Sequence, residues 1–309
     1  MPLLLLGVAL GVLTLENEGK VQADPVRIWR EAGMSVVRGR VEGFVVFERL
    51  GKEHRGIWIQ KLGVGKPRCL VREGRYPRIG PDGKVVYFIR GDQSICRISA
   101  EGGRVEELLE WFERIPAISI HPKRHDLLFV CSSGVWKINT VNLQVSQIEG
   151  TPQRPAAVDV DLHDDVVIST FEGRHHMLWK QQSEHILNSE WLKVDVGCSA
   201  AISPQGTYFT DNQNRHECIE VKTFSTNEVI HEVRTYPEIY TVDNEAWTNL
   251  DEWLVFNSET RGGRFAWLYK MGDPHAFKCT FTWDSDRPDA YITRVVEPGG
   301  EKLVRKKKI

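Results

Sequence analysis

No two of the six cysteines, Cys69, Cys96, Cys131, Cys198, Cys218 and Cys279, stand close enough to form a CxxC motif. That excludes a zinc ribbon or a thioredoxin-type pair, which need thiols a turn apart. Cysteines so sparse in a chain of 309 residues read as free thiols packed in an apolar core. An excess of one charge is also missing. Forty Lys and Arg against 42 Asp and Glu leave a formal net charge of −2, so nucleic acid is not an expected partner, because a phosphate backbone demands a basic surplus. Catalytic signatures are absent as well: there is no GxSxG elbow, no P-loop and no HExxH motif. Beyond residue 15 no long apolar run remains, so no integral membrane segment is expected there.

The apolar run Met1–Leu15 is too short to span a bilayer comfortably. It is followed by Val21-Gln-Ala23, which has the small-residue character of a cleavage site. Residues 1–23 therefore read as an export signal, although no Lys or Arg precedes the apolar run. The expected location is periplasmic or secreted, or cytoplasmic if that run is an ordinary buried element. Residues 301–309 form a basic tail, read as a solvated terminus.

What the chain does have is a repeat. Phe47, Phe88 and Phe129 end the apolar runs FVVF, VVYF and DLLF at intervals of 41 residues. Pro81, Pro122 and Pro204 fall in the preceding turns at one and two multiples of that interval. In the unit spanning residues 77–109, the turn GPDG at 80–83 leads into Val85–Ile89, a polar hairpin leads to Ile95–Ile98, and Val105–Leu109 follows. Pro presets φ and Gly accepts positive φ in such turns, and the β-branched and aromatic residues after them favour a pleated surface. Val105–Phe112 also has helical periodicity, but the repeat overrides that weak local preference and places a strand there. About six extra residues lie near Tyr236–Asn244. A period near 40 with four short strands marks radially arranged sheets. The expected fold is all-β, a six-bladed β-propeller with seven blades the alternative, in one domain over residues 24–300. Either residues 24–30 join the last blade to close the ring, or residues 288–296 join the first.

These units resemble the TolB-type propeller repeat, a relative of the WD repeat. GPDGK at 80–84 and SPQG at 203–206 match its turn, Ser258-Glu-Thr-Arg-Gly262 is similar to its hairpin, and Asp284-Ser-Asp-Arg-Pro-Asp289 resembles its inter-unit stretch. The resemblance covers roughly residues 34–290. It implies a propeller. The Tol–Pal envelope function is not implied, since TolB carries an additional N-terminal domain.

Chemistry-bearing residues concentrate in the hairpins between second and third strands, which a propeller gathers on one face. Arg55, Arg90, Arg174, His175, His176, Arg215, His216, Arg261 and Arg264 are the candidate ligand-binding residues. A rim of guanidinium and imidazole groups suits carboxylate, sulfate or phosphate groups. No catalytic residue, metal ligand set or cofactor is expected: His121 and His125 flank a turn rather than share a helix face, and Asp159-Val-Asp-Leu-His-Asp-Asp165 lacks the Gly and distal Glu of a calcium loop and reads as a solvated acidic turn. Trp58, Trp136 and Trp267 take equivalent third-strand places and are expected to pack between blades; one or two of the less regular tryptophans are left to line a surface cleft. The function these features point to is a non-catalytic TolB-like scaffold binding a protein or an acidic glycan. The alternative is a propeller lyase or hydrolase acting on acidic carbohydrate, with a His base and an Arg to neutralise the uronate.

Overall fold

The computed structural model describes residues 26–27, 41–62, 66–172, 175–182, 190–213, 216–234, 239–273, 276–280, 284–297 and 300–302. The export-signal reading of residues 1–23 and most of the basic tail lie outside them. The described residues form β-strands joined by turns and no helix. The strands make six antiparallel blades in a ring, a six-bladed β-propeller.

Each blade starts with the strand nearest the axis. Those inner strands are Arg75–Ile79, Ile118–Ile120, Pro155–Val160, Ala200–Ile202, Ile239–Trp247 and Ser285–Glu297. Each contacts its neighbour around the ring, the last touching the first. Ser285–Glu297 settles the closure, because it pairs with Val41–Arg49 and completes the first blade from the C-terminal side. Of residues 24–30 only 26 and 27 are described, and these two do not close the ring. Val26–Arg27 adds in parallel to the outer strand Val229–Arg234 of the fifth blade. Glu106–Glu110 is a strand, so the repeat rather than the helical periodicity describes that segment. The extra residues of the sixth unit fall partly in its inner strand, whose pairing slips twice, between Ile239 and Thr241 and between Asp243 and Ala246.

Six apolar clusters of buried residues lie between adjacent blades. Phe47, Phe88, Phe129 and Phe256 are fully buried in them, which is why the repeat marks their positions: a blade twists, and its large side chains interdigitate with the next sheet. Trp58, Trp136 and Trp267 pack on the same clusters. The repeat breaks at one such position. Asp211 lies seven residues after Pro204, as Phe88 and Phe129 do after Pro81 and Pro122, and it too is fully buried. The six cysteines are free, with Cys69 and Cys198 half-buried and the others buried.

The turns GPDG and SPQG close alike, Gly83 N–H donating to the Gly80 carbonyl at 2.9 Å and Gly206 N–H to Ser203 at 2.8 Å. These turns, which follow the inner strands, surround one mouth of the axial channel. The hairpins between second and third strands lie at the other.

Candidate functional site

The turn-face mouth is a cavity of about 220 Å³ to which all six inner strands or the turns after them contribute. Pro81, Pro122, Pro204, Trp247 and Tyr291 form its apolar collar, and Arg78, Asp159 and Asp289 its floor. Asp159 accepts hydrogen bonds from the Ser119 hydroxyl and from Ile202 N–H at 3.0 Å. Asp289 accepts Ile79 N–H at 2.7 Å. Burial pushes both carboxyls up, Asp289 to about 6, with the Arg78 guanidinium opposing. Asp159 is deep in the protein yet retains contact with channel solvent, as a residue lining a narrow well does. Asp161 is fully buried; its carboxylate accepts His163 and Asp165 N–H at 2.8 Å each. The solvated acidic turn read from the sequence is therefore confined to its tip, while the first two aspartates point inward, because the inner strand extends through Val160.

Deeper along the axis the channel shrinks to about 10 Å³, room for about one water. Tyr76, Asn244, Glu245 and Arg287 line this constriction. Three of them have left-handed backbone: Tyr76 at φ 57, Asn244 at φ 50 and Arg287 at φ 43. Each sits where strand pairing slips or beside it. Such conformations cost about 1–3 kcal/mol each for a non-glycine residue and gather at functional sites. Here the bulges aim side chains into the axis. Arg287 donates to Glu48 at 3.0 Å and Asp286 at 3.3 Å. Glu245 is held by the Ser199 hydroxyl, and burial pushes its carboxyl up to about 7. Glu48, Asp159, Glu245, Asp286 and Asp289 thus outnumber Arg78, Arg264 and Arg287 along the described axis. A larger recess of about 720 Å³ lies beside the first two blades, but Arg68 on its wall is already bound to the carbonyls of Ala100 and Glu101.

The nine residues singled out on the hairpin face fare differently. Arg174 and Arg215 lie outside the described residues, as does the side chain of His175. Arg55 and Arg261 are exposed at hairpin tips. Arg90 is paired with Glu107 at 2.7 Å, and Arg264 with Glu259 at 3.1 Å and Asp286 at 3.0 Å. Arg90 and Arg264 are thus neutralised within the chain. His216, on the fifth blade, comes together with three residues that the sequence reading did not single out, and His176, on the fourth blade, is near enough for the His216 charge to act on it. His216 Nδ1 lies 3.2 Å from Asp243 Oδ1, and both its ring nitrogens lie 3.5 Å from Cys198 Sγ. Asn212 donates to Asp243 at 2.7 Å. The carboxylate and the sulfur hold the His216 imidazole well above its ordinary range, to about 10. His176 packs on Phe171, and its Nδ1 is enclosed with no hydrogen-bond partner among the described residues. Cys198, His216 and Asp243 place ligand atoms within 4.8 Å of one another. Asp195, Asp211 and Glu220 do so too, but there the Lys222 ammonium binds all three. Position 198 precedes an inner strand, 216 lies in a hairpin loop and 243 is a bulged inner-strand residue, so no local spacing could have signalled the group.

No family model matches the chain, and no curated protein sequence is similar to it. Among solved structures, TolB from Acinetobacter baumannii superimposes with a TM-score of 0.63 at 10% identity, over 81% of this chain and 66% of that one. A chain of a nidogen/laminin complex superimposes with a TM-score of 0.57 at 11% identity, over 81% of this chain and 98% of that one. This chain thus spans just under two thirds of the TolB chain. At these identities the likeness is one of fold, a TolB-like propeller.

Proposed function

We propose that this TolB-like propeller is a non-catalytic scaffold that holds a segment of a partner protein at the turn-face mouth, with a Lys or Arg side chain of the partner inserted onto Asp159 and Asp289. The carrying observation is the mouth itself: an apolar collar of prolines, Trp247 and Tyr291 above an acidic floor. Lys and Arg have that profile, an aliphatic stem ending in a cation. The volume, about 220 Å³, is below the roughly 300–1,000 Å³ of small-molecule sites and suits a side chain rather than a free metabolite. The nidogen/laminin complex shows a propeller of similar fold in a protein assembly, which supports the same reading. An acidic glycan fits less well, since a uronate entering this mouth meets Asp159 and Asp289 with Arg78 alone to offset them. Export through residues 1–23 is part of the proposal, and N-terminal sequencing of secreted material starting after Ala23 tests it.

Binding is tested with capped peptides that differ only in a central Lys, Arg, norleucine or Glu, followed by calorimetry. Lys and Arg peptides bind, and the Asp159→Asn, Asp289→Asn double variant loses at least tenfold in affinity, about 1.4 kcal/mol. A cation prefers the ionised carboxylate, and Asp289 is protonated below about pH 6. Affinity therefore climbs about tenfold from pH 5 to 7.5, the growth in ionised fraction across that window. Equal binding of the Glu peptide, or a flat pH profile, rejects the acidic mouth as the recognition element.

A further inference from the structure

We propose a second site, on the hairpin face, in which Cys198 Sγ, His216 Nδ1 and Asp243 bind a zinc-class divalent metal ion, with water at the fourth position. Cys198 lies two residues before the inner strand Ala200–Ile202, whose far end, Ile202, lines the turn-face mouth. The two sites are therefore at opposite ends of the ring, and each can fail without the other.

The separations carry the argument. Around tetrahedral zinc, with bonds of about 2.3 Å to sulfur and about 2.0 Å to nitrogen and oxygen, a thiolate and an imidazole nitrogen stand about 3.5 Å apart, and an imidazole nitrogen and a carboxylate oxygen about 3.3 Å. The observed distances are 3.5 Å from Cys198 Sγ to His216 Nδ1 and 3.2 Å from that nitrogen to Asp243 Oδ1. A mixed thiolate, imidazole and carboxylate set suits zinc and its neighbours rather than calcium or magnesium, which take oxygen alone.

The same three residues in a nucleophile relay would put the thiol at one ring nitrogen and the carboxylate at the other. Here Sγ is 3.5 Å from both nitrogens, so the thiol is not aligned with one of them, and the carboxylate sits at Nδ1. That is not a relay, and because an equidistant sulfur lies off the Nδ1 lone pair, metal binding turns the His216 ring until Nδ1 faces the point between Sγ and the carboxylate.

The surroundings are those of a ligand shell. Asn212 and the backbone N–H of Asn244 donate to Asp243 Oδ1 at 2.7 and 2.8 Å, orienting the carboxylate. Ser169 donates to the Cys198 carbonyl at 3.0 Å. Val242 N–H donates to the His216 carbonyl at 2.7 Å and ties that hairpin to the strand bearing Asp243. Such outer contacts preset ligand geometry. His176 is joined to this group through Gly197 N–H on its carbonyl at 3.2 Å.

The full chain, stripped with chelator under reducing conditions, is titrated with Co²⁺ and then Zn²⁺. One equivalent of Co²⁺ gives a tetrahedral d–d spectrum with a thiolate-to-cobalt charge-transfer band, and Zn²⁺ displaces it. Cys198→Ser removes the charge-transfer band, and Asp243→Asn and His216→Asn each weaken binding at least 100-fold. Asparagine is chosen at 216 because His216 sits at φ 70, which Asn tolerates. Circular dichroism confirms that each variant keeps its β-sheet. No stoichiometric uptake by the folded chain, or a charge-transfer band that survives Cys198→Ser, overturns the site.

Discussion

Lys222→Met is expected to cost about 3–5 kcal/mol, the usual penalty for removing one partner of a buried ion pair. Lys222 is almost wholly buried, 2.9 Å from Asp211 and from Glu220 and in contact with Asp195. Asp195 and Glu220 retain some contact with water, whereas Asp211 has none. Without the ammonium, Asp211 is left as an uncompensated carboxylate in a blade junction, where its neighbours in the repeat are phenylalanines. At about 2 °C per kcal/mol for a domain of this size, the midpoint falls by roughly 6–10 °C. The double variant Asp211→Leu, Lys222→Met is expected to recover most of that loss, because it removes both charges and restores an apolar side chain at the repeat position. Urea unfolding of the two variants decides it. A single variant as stable as the parent, or a double variant no better than the single, would show that the pair is not what balances this junction.

Gly43→Val is the second large effect. The closing strand Ser285–Glu297 passes so near Gly43 that a Cβ there would stand 2.1 Å from the Tyr291 carbonyl oxygen and 3.0 Å from Ile292 Cα. The obstruction is backbone, so no rotamer change relieves it, and the two strands that complete the ring must separate. A loss of about 3 kcal/mol or more is expected, the upper range for overpacking. Gly91→Ala is the control. Its φ is +60 and nothing lies within 4 Å of the added methyl, so it carries conformational cost alone, about 1–2 kcal/mol. If thermal melts place Gly43→Val level with Gly91→Ala, the closing strand does not run in this register.

The architecture was readable because each blade solves the same packing problem. Phe47, Phe88 and Phe129 recur at a constant interval because each fills a junction between twisted sheets, and GPDG and SPQG recur because the turn after each inner strand needs the same φ values. The helical periodicity of Val105–Phe112 yielded to that regularity, as a local preference does when a strand completes a sheet. The candidate site was far less readable. Attention fell on the hairpin arginines, since loop cations stand out in a sequence. The structure pairs Arg90 with Glu107 and Arg264 with Glu259 and Asp286, and a sequence cannot show which cations are already neutralised. His216 stands out as a hairpin imidazole, but Cys198 and Asp243, which complete its group, look like ordinary core and strand residues.

The sequence by itself determined the repeat, the strand content and the residues that fill the junctions, because those follow from local turn chemistry and from a hydrophobic spacing printed along the chain. Only the tertiary structure decided the ring closure, the acidic mouth and the Cys198–His216–Asp243 group. Each of these depends on which strands become neighbours once the ring is shut. Closure brings Asp289 to the floor beside Asp159, some 130 residues away in the chain. Bulges in the inner strands rotate Glu245 and Arg287 toward an axis that does not exist until all six blades surround it.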